Sequence, residues 1–157
     1  MGIRAVSHFA IGVRDLDRVL PFYRDLLGLR VVVDSEERFA DPSTDPPTRI
    51  ERRSVKLRWA DGVDTQFIVL DQMLTSPAKG EPTELWQIGF HHIALWVDEI
   101  DPYLAAVTTV GGRAVSKVGE SGGPGYAEPD GSRIRSVFLA DPEGNIVQLD
   151  QRLTSSW

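Results

Sequence analysis

The pattern of apolar and polar positions predicts that the chain begins with a strand, a helix and three further strands. Residues 5–13 alternate and carry β-branched side chains, which favours a strand. Apolar residues then recur at three- and four-residue spacing over residues 16–27. This spacing predicts a helix with Asp15 as its N-cap and Gly28 just beyond its end. Further strands are predicted at residues 29–33, 50–59 and 65–70.

The second half of the chain repeats this order. A strand is predicted at residues 90–97, followed by a helix that is apolar on one face at residues 99–110. Residues 119–131 are rich in glycine and proline, so we expect a long loop of the kind that serves as a lid. The remaining strands are predicted at residues 113–118, 133–140 and 146–151. Both halves therefore predict a βαβββ unit, and the expected fold class is α+β.

His8 and His92 begin two copies of one sequence pattern. The copies read His8-Phe-Ala-Ile-Gly-Val-Arg-Asp-Leu-Asp17 and His92-Ile-Ala-Leu-Trp-Val-Asp-Glu-Ile-Asp101, and aligned without a gap they share His, Ala, Val and Asp. A repeat about half a chain long indicates two copies of one supersecondary unit. We expect a single domain over residues 1–157, with modules at about residues 4–72 and 88–152 and a connector at about residues 73–87.

Composition and charge narrow the possible partners. The formal net charge of −6 argues against nucleic acid, because phosphates are bound by basic surfaces. No apolar stretch is long enough to span a bilayer and no signal peptide is visible, so we expect a cytoplasmic protein with no membrane partner. The absence of cysteine excludes disulfides, thiolate metal ligands and a cysteine nucleophile.

Residues 49–58 form a basic run within a predicted strand. The run contains four arginines and a lysine. Solvated charges on an exposed strand would account for it. Alternatively, these side chains form a cationic rim that holds a carboxylate or a phosphate ester. The second interpretation makes an anionic small molecule the expected substrate.

The last predicted strand of each half supplies a glutamine that could join the repeated histidine. Gln66 follows His8, and Gln148 follows His92, at nearly equal separations. If each first strand points its histidine inward, the last strand would point its glutamine onto the same face. A pseudo-twofold arrangement would then bring all four side chains to one central cavity. A lone histidine on a half-buried strand is, however, usually just a hydrogen-bonded core residue, and His91 would point to the opposite face.

These motifs resemble the vicinal oxygen chelate superfamily. That superfamily includes glyoxalase I, methylmalonyl-CoA epimerase, fosfomycin-resistance enzymes, extradiol dioxygenases and bleomycin-resistance proteins. The resemblance extends over essentially the whole chain and rests on His8 with Asp15-Leu-Asp17, Phe22-Tyr-Arg-Asp-Leu-Leu-Gly-Leu29, Phe90-His-His-Ile-Ala-Leu-Trp-Val97 and Asp141-Pro-Glu-Gly-Asn-Ile-Val-Gln148. It implies two tandem βαβββ modules that form a half-open mixed-sheet barrel around a central cavity, and it implies a homodimer.

The resemblance also implies a metal site. In metal-dependent relatives the four strand positions bind one divalent cation, so His8, Gln66, His92 and Gln148 are the expected ligands for Ni, Co, Mn, Zn or Fe. The fourth ligand is normally glutamate, and Gln148 departs from that pattern. Imidazole and amide donors do not neutralise a dication, so the ion would be held more weakly than by a set with a carboxylate. The same departure disfavours extradiol dioxygenase chemistry.

Glutamine cannot act as a general base, so another carboxylate would have to move a substrate proton. Asp150 lies two residues beyond Gln148 and therefore on the same strand face. Glu51 lies on the third predicted strand. Both are candidate catalytic residues, and both could instead be surface or rim acids.

Three functions for a small-molecule site remain open. The first is a metal-dependent lyase or isomerase of the glyoxalase and epimerase type, in which the ion stabilises an enediolate. The second is a metal-free protein that binds or sequesters a small molecule, as bleomycin-resistance proteins do. The third is metal-free acid–base catalysis with His8 or His92 as the base, since histidine titrates near neutral pH.

Overall fold

The computed structural model describes residues 2–154 of the 157-residue chain. The chain divides into two compact units, residues 1–80 and residues 81–157. Each unit contains one mixed sheet, with parallel and antiparallel neighbours, and few helical residues. This confirms the predicted α+β class. No helix in the described part of the chain is long and apolar enough to cross a membrane.

The first unit is a four-stranded sheet with one helix. Its strands are β1 (His8–Val13), β2 (Arg30–Ala40), β3 (Arg49–Arg58) and β4 (Phe67–Met73), in the spatial order β1-β4-β3-β2. Strand β1 is parallel to β4, and the other neighbours are antiparallel. Helix α1 (Leu16–Pro21) follows β1 and continues as a π-helical turn over Phe22–Leu26.

The second unit repeats this plan. Strands β5 (Ile93–Val97) and β9 (Ile146–Thr154) are parallel, and β9 pairs with β8 (Arg133–Ala140) in antiparallel fashion. The short strands β6 (Arg113–Ala114) and β7 (Gly119–Gly122) both pair with β8. Helix α2 (Asp101–Ala106) continues as a 3-10 turn over Val107–Val110, and a second 3-10 turn covers Gly123–Tyr126.

The predicted helix boundaries follow from local capping. The Asp15 side chain accepts a hydrogen bond from the backbone N–H of Arg18 at 3.2 Å, as an N-cap does. Gly28 ends the helical segment with a φ of 71°, a left-handed value that other residues adopt only at a cost. Pro21 stands at the end of the regular α-helix, where the π-helical turn begins.

Strand alternation gives each sheet one apolar face and one mixed face. In the first unit the apolar face carries Val13, Val55, Leu57, Ile68 and Leu70, and in the second it carries Ile93, Val137, Leu139, Val147 and Leu149. All of these side chains are buried. The buried side chains of α1 and the buried Ile100 and Val107 belong to the same cores. The opposite, mixed faces carry the polar residues that bear on function.

One helix cap is common to both units. Gln72, in β4, accepts a hydrogen bond from the backbone N–H of Leu16 at 2.9 Å through its Oε1. Gln151, in β9, accepts one from the backbone N–H of Ile100 at 3.3 Å in the same way. In each unit the last strand therefore satisfies an N–H group at the start of the helix, which has no partner within the helix itself.

Candidate functional site

The second polar face, which we define as His92, Trp96, Ser136, Phe138, Gln148 and Asp150, is set by strand register. Ala94 lies opposite Gln148, and Trp96 lies opposite Asp150. Phe138 and Ser136 of β8 continue these two rows on the other side of β9. His92 precedes Ala94 by two residues, and its ring meets the Phe138 ring edge-on at 5.2 Å between centroids.

Three side chains on or above this face form a closed ring of hydrogen bonds. The amide Nε2 of Gln148 donates to Oδ1 of Asp150 at 2.7 Å and to the hydroxyl of Tyr126 at 3.0 Å. The Tyr126 hydroxyl donates to the same Oδ1 at 2.9 Å. Both hydrogen bonds to the Asp150 carboxylate therefore end on one oxygen, and among residues 2–154 none ends on Oδ2.

Asp150 is a buried acid without a cationic partner in this ring. Its exposed fraction is 3%. Burial raises the pKa of Asp150 above the usual value for an aspartate, while the hydrogen bonds from Gln148 and Tyr126 lower that pKa in part. Burial likewise raises the pKa of the Tyr126 hydroxyl. An acid with a raised pKa accepts and returns a proton more readily than a solvated aspartate does.

The imidazole of His92 has a lowered pKa, which favours its neutral form. Burial lowers the pKa of its imidazole, His91 lowers that pKa further, and Asp150 raises it in part. The Nδ1 atoms of His92 and His91 lie 2.7 Å apart and share one hydrogen bond. If His91 donates, His92 carries its own proton on Nε2. If His92 donates, its Nε2 presents a lone pair, which is the form that binds metals.

Tyr126 comes from the glycine-rich loop between β7 and β8, which the sequence predicted as a lid. The loop is pinned from within, because Gly123 donates its backbone N–H to Ser132 and accepts from that of Glu128, both at 2.9 Å. A Cβ on Gly123 would lie 2.0 Å from the carbonyl oxygen of Pro129, so only glycine fits there. The Trp96 and Tyr126 rings lie 5.9 Å apart between centroids, which places the loop over the second polar face.

The first polar face has the same strand pairing as the second but carries different side chains. We define it as His8, Arg52, Ser54, Lys56, Phe67, Val69 and Asp71. His8 is exposed, and its ring stacks on that of Phe67 at 5.0 Å between centroids. Arg52 contacts Asp71 at 2.8 Å and Glu37 at 2.7 Å. The carboxylate in this face therefore has a direct cationic partner.

Register within each unit gives a different equivalence for Gln66 from the one expected. Ala10 lies opposite Val69, as Ala94 lies opposite Gln148. The counterpart of Gln148 is therefore Val69, not Gln66. Gln66 precedes β4, next to the residue that pairs with His8, and its amide donates to the backbone oxygen of Asp64 at 3.1 Å. The expectation that Gln66 shares the face of His8 is not met. The triplets Leu70-Asp-Gln72 and Leu149-Asp-Gln151 were the sequence signal for the correct alignment.

Glu51 is on the wrong face for the role predicted for it. By alternation along β3 it shares a face with Val55 and Leu57, which belong to the apolar core. Its carboxylate contacts Arg49 at 2.9 Å and Arg38 at 3.4 Å. Glu51 is therefore an ion-paired acid at the end of the sheet.

The basic run in β3 is also largely paired within its own unit. Arg53 contacts Asp17 and Asp34 at 2.7 Å each, and Lys56 contacts Glu37 at 2.8 Å. The guanidinium of Arg58 lies over the Phe67 ring at 5.7 Å from its centroid. These contacts leave little free positive charge, so the interpretation of the run as a cationic rim loses its support.

Neither unit taken by itself offers a donor set that fits a divalent ion. In the first unit Val69 stands where Gln148 stands in the second. In the second unit His92 and Gln148 are neutral donors, and one oxygen of Asp150 already accepts two hydrogen bonds. Nowhere in the described chain are three or more histidine, aspartate and glutamate side chains grouped so that they could hold a metal. Hard dications require several oxygen or nitrogen donors with compensating charge.

Comparison with known proteins gives the same fold. The Bacillus cereus glyoxalase family protein has a TM-score of 0.78 at 18% identity, and the match covers 98% of this chain and 97% of that one. The trypanothione-dependent glyoxalase I of Leishmania major has a TM-score of 0.62 at 17% identity, covering 95% and 87%. The fosfomycin resistance protein FosX of Listeria monocytogenes, solved with Mn(II) and sulfate, has a TM-score of 0.57 at 15% identity, covering 96% and 93%.

At these identities the solved structures show the fold alone. A search of curated proteins finds no significant match. Residues 7–127 match the family model described as the Glyoxalase/Bleomycin resistance protein/Dioxygenase superfamily, which confirms the resemblance read from the sequence. The chain belongs to the glyoxalase, bleomycin resistance protein and dioxygenase superfamily.

Proposed function

We propose that the chain is a lyase or isomerase for a small carbonyl compound, with Asp150 as the residue that carries the proton. The observation that supports this most directly is the environment of Asp150. Its carboxylate is buried on a polar face and has a raised pKa, and within residues 2–154 it accepts hydrogen bonds only from the neutral Tyr126 and Gln148. Such an acid can take up a proton at a pH where a solvated aspartate cannot.

The proposed reaction moves one proton. Oδ2 of Asp150 removes a proton from the carbon next to a substrate carbonyl, which leaves an enolate and a neutral carboxylic acid. Return of the proton to the opposite face of the same carbon completes an epimerisation. In a 2-hydroxy carbonyl compound, return of the proton to the former carbonyl carbon, with the hydroxyl proton passing to the enolate oxygen, completes an isomerisation. His92 is proposed to donate its Nε2 proton as a hydrogen bond to the enolate oxygen, in the tautomer in which His91 donates to its Nδ1.

The substrate is proposed to be small and without a strong negative charge. Phe138 and Trp96 contribute aromatic surface to the face that carries Asp150. Four of the five cations of β3, which suggested an anionic substrate, contact carboxylates of their own unit. An uncharged carbonyl compound with some apolar surface matches these surroundings.

The metal-dependent form of this reaction is a separate proposal. His92 and the Oε1 atom of Gln148 would be the donors that the second unit offers, and the metal would polarise the substrate carbonyl. The donor set described above fits an ion poorly, so the proton transfer is assigned here to protein groups alone. In that form His92 would adopt the other tautomer, with the lone pair on Nε2. Nitrogen-15 NMR of the imidazole distinguishes the two tautomers directly.

The alternative function is a metal-free protein that binds or sequesters a small molecule. Two features favour it. The Gln148 amide makes hydrogen bonds on the second polar face, and the exposed His8 ring stacks on Phe67. Both features can serve binding without chemistry.

The test is proton exchange in D2O, followed by NMR, on a panel of small 2-oxo and 2-hydroxy carbonyl compounds. We expect the wild-type protein to exchange the proton next to the carbonyl of at least one of them, with or without a chelator. Asp150→Asn should slow this exchange by roughly 10²- to 10⁴-fold, the range typical for loss of a general base. Binding without exchange would favour the sequestering protein. Exchange that a chelator abolishes would favour the metal-dependent form.

A further inference from the structure

We infer that Tyr126 is a positioning residue that, together with Gln148, holds one oxygen of Asp150 and leaves Oδ2 as the oxygen that meets the substrate. This inference rests on the proposed function, since it assigns a role within the same site. Its support is geometric. Two donors from two different elements converge on Oδ1, the amide of Gln148 at 2.7 Å and the hydroxyl of Tyr126 at 2.9 Å.

The two donors also fix each other. The Gln148 amide donates to the Tyr126 hydroxyl at 3.0 Å, so the three side chains form one closed ring. A carboxylate that accepts from two directions loses the freedom to rotate about its Cβ–Cγ bond. In a catalytic base this fixes which lone pair faces the substrate, an alignment that affects the rate strongly.

The backbone of the loop that carries Tyr126 is restrained at two points, which fixes the position of the Tyr126 side chain. Ala127 ends its 3-10 turn with a φ of 55°, a left-handed value that is costly outside glycine, asparagine and aspartate. Gly123 has no room for a Cβ beside the carbonyl of Pro129. These restraints place Tyr126 independently of any ligand, so the ring around Asp150 is preorganised rather than formed on binding.

The titratable groups around Asp150 are few. His92 faces it from the side of β5, and Tyr126 faces it from the loop. The next residue along the same face of β9, Arg152, is paired with Glu128. Because Arg152 is paired with Glu128, the hydrogen bonds from Gln148 and Tyr126 are the contacts that orient the Asp150 carboxylate.

The experiment is NMR of the full-length protein at one fixed pH, which needs no substrate. Tyr126→Phe removes the hydroxyl and keeps the ring. We expect the side-chain amide signal of Gln148 and the carboxyl-carbon signal of Asp150 to shift, because the hydroxyl that joins these two groups has been lost. Tyr103→Phe, in α2 of the same unit, is the matched control and should leave both signals in place. Asp150→Asn should remove the carboxyl signal and so identifies it.

Gly123→Ala provides a second variant with the hydroxyl intact. The added Cβ must displace the loop, so the Gln148 and Asp150 signals should shift in this variant as well. If both signals are unchanged in both variants, the positioning role is wrong. If the signals move and no compound in the panel exchanges a proton, the positioning of Asp150 stands and the proposed reaction fails. With a reactive compound, Tyr126→Phe should lower the exchange rate by about tenfold.

Discussion

Asp71 and Asp150 occupy equivalent positions in the two units, yet their surroundings differ in one decisive respect. The alanine that both copies of the repeat share is Ala10 in the first unit and Ala94 in the second. In each unit the aspartate lies on the last strand, two residues beyond the residue that pairs with this alanine. Asp71 contacts the guanidinium of Arg52 at 2.8 Å, whereas Asp150 accepts its hydrogen bonds from the neutral groups of Tyr126 and Gln148.

This difference separates a structural carboxylate from a reactive one. A guanidinium beside an acid favours the ionised form and keeps it ionised, which suits an ion pair. Burial beside neutral donors disfavours the ionised form, which suits proton transfer and costs stability. The same fold position therefore serves structure in the first unit, and we propose that it serves chemistry in the second.

The largest expected effect concerns Gln148 and the metal. Gln148→Glu would place a carboxylate beside His92 and Asp150 and so create three charged or imidazole donors on one face. We expect this variant to bind Mn²⁺ at least about tenfold more tightly than the wild-type protein, because the charge of the ion would be compensated. Isothermal titration calorimetry measures the change.

Gln66→Glu is the control for this variant. Its side chain lies outside the strand register that places Val69 opposite Ala10, so Mn²⁺ affinity should not change. Equal strengthening by the two substitutions would contradict the alignment of Val69 with Gln148 and restore Gln66 as a ligand.

Removal of the charge from each aspartate should change stability in opposite directions. Asp71→Asn leaves Arg52 without one of its two partners, and we expect the free energy of unfolding at pH 7 to fall by about 2 kcal/mol. Asp150→Asn removes a buried charge while keeping an oxygen for Gln148 and Tyr126. It should raise that free energy by on the order of 1 kcal/mol. Urea unfolding measures both, and loss of stability in Asp150→Asn would show that its ionised form is needed by the fold.

Much of this contrast could not be read from the sequence. The hydrophobic periodicity and the repeat beginning at His8 and His92 predicted the α+β class, and the resemblance of the motifs implied the family. Both are confirmed. The pairing of Gln66 with Gln148 relied on counting residues from each histidine. That count failed because the segments between first and last strand differ in length in the two units, as the register of β4 and β9 shows.

Tyr126 was not predicted at all. It lies in a segment whose glycines and prolines indicate only a loop, and nothing in its spacing reveals that it reaches Asp150. The ion pair between Arg52 and Asp71 could not be predicted from the sequence either, because cross-strand neighbours depend on strand register rather than on sequence distance. Periodicity predicts which face a side chain takes, whereas its partners on that face depend on the register of strands that are distant in sequence.

The pH dependence of stability should sharpen the comparison further. The pKa of Asp150 is raised in the folded protein, so the fold binds this proton more tightly than the unfolded chain does. The destabilising effect of Asp150 is therefore absent below the ordinary aspartate pKa of 3.8 and complete above the pKa that Asp150 has in the fold. We expect the stability gained in Asp150→Asn to shrink toward zero as the pH is lowered to about 4. A gain that is independent of pH would point to a packing effect instead.

The smallest expected effect tests a feature that the two units share. Gln72 and Gln151 both accept a hydrogen bond from an N–H group at the start of the helix of their own unit, at 2.9 Å and 3.3 Å. Gln72→Ala should lower the free energy of unfolding by about 1 kcal/mol, as loss of a helix cap does. Gln151→Ala should cost less through its cap, because the contact is longer and Arg135 also donates to the same oxygen at 3.2 Å. Similar losses from the two substitutions would mean that the cap contributes equally to the stability of the two units. Chemical denaturation at pH 7 measures both variants, and if neither loses stability the shared cap is not what holds the last strand of each unit to its helix.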